Sequence, residues 1–332
     1  MKIIKLLSFS IIVTILFTFC NSEKNYQDQI YNGEYIGRIP PGDSALIFAE
    51  NLVSDEFNVR DAAFSPDGKE FFYSLKGPSF FSIIQLKRKG DIWQKSEVAS
   101  FSGKYSDIEP CFSPDGSKLY FVSNRPLEEN GEPKDYDIWY VEKVSGRWSS
   151  PKNIGLPINT EANEFYPSFT TEGTMYFCAK YDNGIGGEDL FYSELINGKF
   201  QEPVNLGDSV NSARDEFNSF VSPDEKYIIY TSTGWGAGLG GGDLWISFRK
   251  EDNSWSKPKN MGLKVNSPFF EYCPSLTPDG KYLFFTSNRN KGEKFSSSKL
   301  SYNQIIDGLQ STLNGSQNIY WISTNFIKKL NQ

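Results

Sequence analysis

Four carboxylates recur at one spacing: Asp107 in Asp-Ile-Glu-Pro, Glu164 in Glu-Phe-Tyr-Pro, Glu216 in Glu-Phe-Asn-Ser and Glu271 in Glu-Tyr-Cys-Pro, each six residues ahead of a turn hydroxyl. Glu56 is a fifth candidate, because Asp55-Glu-Phe-Asn repeats Asp215-Glu-Phe-Asn with three extra residues before its turn. Carboxylates gathered at one opening support three kinds of chemistry. A pair about 5 to 9.5 Å apart hydrolyses a glycosidic bond, several oxygens hold a Ca-type cation, and a negative ring receives a basic segment. A structural reading stands beside these: Asn159, Asn211 and Asn266 each precede such a carboxylate by five residues, so Asn and Glu can tie neighbouring repeats through turn backbone. Arg125 and Arg289 either clamp a carboxylate ligand or pair with the acidic loops beside them, and the net charge of −7 favours pairing. Trp235 in Gly-Trp-Gly-Ala-Gly offers a stacking platform. That Gly-rich run is not a dinucleotide fingerprint, since no helix follows to receive a pyrophosphate.

Much other chemistry is excluded. The 332 residues contain no histidine. There is therefore no Ser-His-Asp or Cys-His couple and no His-ligated zinc. Four cysteines at wide spacings form no CxxC pair. Lys plus Arg total 34 against 41 Asp plus Glu, the wrong sign for tracking phosphate backbones, so nucleic acid is excluded as a partner. No cofactor is expected.

The elements that position these residues form a repeat. Ala63-Phe-Ser-Pro-Asp-Gly, Cys111-Phe-Ser-Pro-Asp-Gly, Ser168-Phe-Thr-Thr-Glu-Gly, Phe220-Val-Ser-Pro-Asp-Glu and Ser275-Leu-Thr-Pro-Asp-Gly each lead into an apolar run, which predicts strand, turn and strand. The acidic turn residues Asp67, Asp115, Glu172, Asp224 and Asp279 are 48, 57, 52 and 55 residues apart, near the propeller period. Their role is turn chemistry. A third strand follows in Asp137-Ile-Trp-Tyr-Val, Asp189-Leu-Phe-Tyr-Ser, Asp243-Leu-Trp-Ile-Ser and Asn318-Ile-Tyr-Trp-Ile, and a fourth carries Pro151, Pro203 or Pro258, as suits an outer edge. Four strands per repeat make a propeller blade. The expected fold is all-β, a β-propeller of five blades with six as the alternative. The fifth repeat lacks a fourth strand, so the run Ala45 to Val53 is expected to supply it and close the ring. The carboxylates, the loops between second and third strands and the blade-to-blade links then share one face. Tyr302, Ile305, Ile306, Leu309 and Leu313 predict a short amphipathic helix on that face, as a lid or a cover for a blade edge.

The first twenty residues read as an address. Lys2 and Lys5 precede an uncharged run, Leu6 to Phe19, too short for a comfortable membrane span but suited to a signal-peptide core. Leu16-Phe-Thr-Phe-Cys20 resembles a bacterial lipoprotein box, with Phe19 where a small residue is usual; the resemblance implies acylation of Cys20, and ordinary secretion is the alternative. The expected organisation is a signal peptide with lipoprotein-type cysteine (1–20), a flexible tether (21–44), the propeller (45–323) and a C-terminal tail (324–332).

The hairpin repeats resemble the WD-repeat-like repeats of the TolB-like group, with departures at Thr171-Glu172 and Glu225. The resemblance implies an exported, membrane-anchored propeller of the bacterial envelope, in the periplasm or at the outer membrane. The favoured function is a non-enzymatic module that binds an envelope protein or glycan through the carboxylate-bearing loop face. The alternative is a carboxylate-dependent, glycosidase-like enzyme. A propeller-plus-hydrolase peptidase is excluded, because no Gly-x-Ser-x-Gly occurs.

Overall fold

In the computed structural model the described residues are 31–128, 131–290 and 299–331. The signal peptide, Cys20 and residues 21–30 of the expected tether lie outside them.

Five antiparallel blade sheets follow one another along the described chain, with a two-stranded ribbon (Leu195–Ile196 with Lys199–Phe200) beside the third, and each blade has the first strand of its repeat innermost. The inner strands are Val59–Phe64, Asp107–Phe112, Glu164–Phe169, Glu216–Val221 and Glu271–Leu276. The second strands are apolar along most of their length, and Met175–Ala179 is buried at every position. Burial on both faces demands such a run, which is why these segments do not alternate. Outer strands are short: Glu97–Val98, Lys152–Asn153, Val204–Asn205 and Lys259–Asn260. The described chain is a five-bladed propeller.

Ring closure follows the sequence reading. Leu46 and Ile47 pair with Trp321 and Tyr320, and Phe48 donates its N–H to the Ile319 carbonyl at 2.8 Å, so the N-terminal strand completes the fifth blade. Phe48 is fully buried, its ring 4.9 Å from Phe284, 5.1 Å from Trp321 and 5.3 Å from Phe71. One side chain thus joins the last blade to the first. Offset and edge contacts of this kind add to the area term.

Two boundaries are corrected. Ordered packing begins before residue 45: Tyr31 and Asn32 pair with Trp93 and Ile92, Ile36 is fully buried, and the Tyr35 hydroxyl donates to Asp279 at 2.7 Å. The cause is apolar content within a polar stretch, since Ile36 joins the cluster around Phe48 and Trp321 and Tyr35 packs against it. The tail is not loose either. Phe326 and Ile327 are buried against blades four and five, and Lys259 donates to the Leu330 carbonyl. The predicted helix forms at Tyr302–Leu309 under a Ser301–Gln304 capping box, yet none of its side chains is buried and Tyr302 is 76% exposed.

Phe48→Ala should lower stability by about 3–5 kcal/mol, the usual range for emptying a buried phenylalanine site. Melting would fall by roughly 10 °C. Leu46→Ala, at a half-exposed neighbour, should change stability by no more than about 0.5 kcal/mol. Equal effects of the two in a thermal melt would refute Phe48 as the closure residue.

Candidate binding site at the propeller axis

The carboxylates singled out by spacing open their inner strands, where Asp107, Glu164, Glu216 and Glu271 are each completely buried. They face the incoming link of their own blade. Glu216 accepts from the Ser212 N–H (2.6 Å) and hydroxyl (2.8 Å) and from Ser232 (2.5 Å); Glu271 accepts from the Ser267 N–H (2.9 Å) and hydroxyl (2.5 Å) and from Ser287 (2.7 Å). Glu164 takes the same two bonds from Thr160 at 3.2 and 2.8 Å. The asparagines just before these hydroxyl residues complete the tie. Asn159, Asn211 and Asn266 each accept from and donate to one third-strand residue of the preceding blade: Ile138, Leu190 and Leu244.

The expectation of a carboxylate ring at a channel mouth is therefore corrected: these side chains turn to hydroxyls, amides and, for Asp107, the Arg125 guanidinium, with one Glu164 oxygen left unpartnered, and none lines the axial cavity. Among the described residues no group of three or more Cys, Asp or Glu side chains is placed to hold a metal ion. In the first blade Val59 fills the slot in register, and Glu56 lies upstream, its carbonyl accepting from Asn314.

Both arginines pair inward. Arg125 donates to Asp107 at 2.6 Å and to the Phe101 carbonyl at 3.1 Å while lying over Phe121 and Trp139. Arg289 donates to Glu271 at 3.2 Å and to the Val265 carbonyl, over Phe285 and Tyr320. Trp235 is half-buried and donates to the Val210 carbonyl at 2.9 Å, which makes it packing for blades three and four.

Titration follows from this burial. Desolvation raises Asp107 and Glu216 above the usual carboxylate range, and it pushes Glu164 to about 8. Glu164 lacks one donor that its counterparts have, because Ala179 stands in register where Ser232 and Ser287 serve Glu216 and Glu271.

The residues that do converge sit two positions further along. Asp61, Glu109, Tyr166, Asn218 and Cys273 are the third residues of the five inner strands, all at positive φ (63°, 60°, 54°, 47° and 54°), where each strand carries a bulge. Arg60 donates to Asp61 (3.1 Å), to Glu109 (2.6 Å) and to the Cys273 sulfur (3.1 Å). Glu109 also accepts from Asn218 Nδ2 (3.1 Å) and the Tyr166 N–H (2.7 Å), and the Tyr166 hydroxyl donates to the Pro274 carbonyl (3.0 Å). Contacts between blades two and four, and between three and five, are possible only at the axis. These side chains plug it.

On the hairpin side of the plug lies a cavity of about 290 Å³. Its walls include Phe112, Phe169, Leu276 and the turn prolines Pro66, Pro114 and Pro278, with Glu109 and Tyr166 at the inner end. Ser168 and Ser275 also line it, but their hydroxyls already donate to the Ser219 and Ala62 carbonyls. Cys111 also lines it, its thiol donating to the Phe112 carbonyl and pushed up to about 12 by burial. Burial raises Glu109 to about 7, with Asp61 reinforcing the shift and Arg60 opposing it. Spacing alone missed this set, because five different residue types occupy the one slot. The available signal was position: each stands two residues after the slot of Val59, Asp107, Glu164, Glu216 or Glu271.

No protein-family model matches the sequence, and no curated protein does. Solved structures do. A putative TolB from Agrobacterium tumefaciens is 15% identical, with 80% of this chain and 90% of that one covered at a TM-score of 0.47. TolB from Acinetobacter baumannii is 14% identical over 81% of this chain and 55% of its own, at 0.45. The α-L-arabinofuranosidase PaAbf62A from Podospora anserina is 12% identical over 85% and 98%, at 0.47. At such identities the likeness extends to the propeller fold alone.

Ala179→Ser should supply the donor that Glu164 lacks. A carboxyl whose folded pKa is raised binds its proton more tightly when folded, so its contribution is fullest below the unfolded pKa and erodes as pH rises toward 8. The variant should therefore gain about 1 kcal/mol near pH 9 and less near pH 5. Melting curves that run parallel to wild type across this range would rule the assignment out.

Proposed function

We propose that this chain is a non-enzymatic binding module of the cell envelope that engages a protein partner at the axial cavity, on the hairpin face rather than the loop face. The observation that carries this reading is the one-sided funnel. The Arg60–Glu109 plug closes its inner end, and its walls are mainly apolar side chains and turn prolines. Prolines fix the turn backbone in advance, so a partner side chain meets a preformed socket at low ordering cost. A protein fits better than a glycan, because the wall hydroxyls of Ser168 and Ser275 are spent on backbone carbonyls and leave few donors for sugar oxygens. Export and acyl attachment at Cys20 belong to the same proposal, on the strength of the N-terminal sequence and the repeat resemblance.

The enzyme reading has one observation in its favour: Asp61 and Glu109 both contact Arg60. Hydrolysis requires two carboxyls that reach the substrate. Both are buried, but Glu109 lines the cavity and Asp61 does not, its carboxylate bonded to Ser74 and to the Glu109 N–H. Binding is the better fit.

Cys111→Trp fills the funnel from its wall. The variant should keep its melting temperature within a few degrees and lose at least tenfold of its recovery of partner protein in affinity capture from native envelopes. Trp235→Ala, on the loop face, should retain the partner. The reverse pattern would move the site to the loop face.

A further inference from the structure

The plug is electrically unbalanced. Arg60 is a single cation set against the carboxylates of Asp61 and Glu109, and the remaining groups around Glu109 (Tyr166, Asn218, Tyr272, Cys178 and Cys273) bring no positive charge. One negative charge is left over at the axis when both carboxyls are ionised. It lies at the inner end of an apolar funnel, with Glu109 itself on the lining.

Hydrogen-bond capacity points the same way. An ionised carboxylate offers about four acceptor positions. Glu109 fills three in the fold: Oε1 accepts from Arg60 and Asn218, and Oε2 accepts from the Tyr166 N–H. The remaining position is on Oε2. A guanidinium fork seeks both oxygens of a carboxylate, whereas an ammonium is a compact charge that one acceptor position can satisfy. The funnel walls would cover an aliphatic stem and leave its charge at the bottom, as long cationic side chains do along apolar surfaces. The rim adds little to this: all five hairpin turns carry an acid, but Asp67, Asp224 and Asp279 are paired with the lysine two residues on, which leaves only the turns of Asp115 and Glu172 without such a partner.

We infer that the funnel is a lysine socket: a lysine side chain of the partner protein enters through the hairpin face, its stem against the turn prolines and phenylalanines and its ammonium on Glu109 Oε2. This inference rests on the funnel being the binding site and adds the chemistry of its ligand. It also makes binding pH-dependent near neutrality. In a chain without histidine, Glu109 is the group at this end of the axis that burial moves to about 7, and its protonation removes the charge that attracts the ammonium.

The test uses the full chain and three probes of similar size: n-pentylammonium, n-pentanol and n-butylguanidinium, titrated by calorimetry. At pH 8 pentylammonium should bind about tenfold more tightly than either competitor, a difference of about 1.4 kcal/mol. The preference should shrink toward zero by pH 5.5, while pentanol binding stays constant. Glu109→Gln should abolish the preference and keep pentanol binding; if that variant fails to fold, the pH series on wild type carries the test. Equal binding of amine and alcohol at pH 8, a preference that ignores pH, or a guanidinium preference would overturn the lysine socket. If in any of these cases Cys111→Trp still releases the partner, the funnel site stands and only its ligand chemistry falls. Absence of binding by all three probes would count against both. Envelope protein acetylated on its lysines should no longer be retained, and undiminished retention would also overturn the inference.

Discussion

Each inner strand holds one non-glycine residue in the left-handed region, and the organisation of the axis depends on that backbone choice. Asp61, Glu109, Tyr166, Asn218 and Cys273 all have positive φ at the bulge of their strand. A single such residue costs of order 1 kcal/mol or more, so five of them form a strained ring unless something offsets it. The bulge breaks the strict in-and-out alternation of a strand, and here it accompanies five side chains that meet at the axis. Charge-assisted bonds from Arg60 to two carboxylates, together with Asn218 and the Tyr166 amide on Glu109, supply the offset. Removing the guanidinium would leave buried carboxylates without a counter-charge, a situation that costs roughly 3–5 kcal/mol in other proteins. Strain and network therefore require each other.

The ring that makes this convergence possible is held by a different set of polar groups. Asn159, Asn211 and Asn266 bind the third strand of one blade while the adjacent Thr160, Ser212 and Ser267 bind the first carboxylate of the next. A short polar link thus fixes one blade against its neighbour with no exposed charge. Apolar contacts fill the rest, above all the cluster where Phe48, Phe284 and Trp321 join the last blade to the first.

This division explains what the sequence made legible. Features that recur from repeat to repeat serve the fold, and recurrence makes them readable: the turn acids, the third strands and the carboxylate slot of blades two to five, against which the missing fourth strand of blade five stands out. Asp115 illustrates the class, held below the usual carboxylate range by the Ser113 hydroxyl and the Ser117 amide in a turn. The carboxylates suggested chemistry because Glu and Asp do so by type, but recurrence was the stronger clue, and buried recurrent acids serve the link. A site at the axis breaks the five-fold pattern, so Asp, Glu, Tyr, Asn and Cys at one slot look like noise until the ring is closed. The ends were misread for another reason. Tyr35 and Ile36 sit among polar residues, and two apolar side chains do not announce burial without the groove that takes them; Phe326 and Ile327 behave alike at the other end.

The two faces of the propeller consequently do different work. On the loop face the candidate binding side chains are engaged internally: Arg125 binds Asp107, Arg289 binds Glu271, and Trp235 caps a carbonyl. What that face shows to solvent is variable loops and an exposed eight-residue helix. On the hairpin face the turn that ends each inner strand brings proline to the rim in four blades of five, with Thr171 in the third. A wall built from turns has little backbone freedom to lose on binding. The free energy available to a ligand then depends on what it finds at the bottom, where the unequal residues lie. A repeat fold can vary its axis in this way: similar turns shape the entrance, and one slot that differs in all five copies forms the floor.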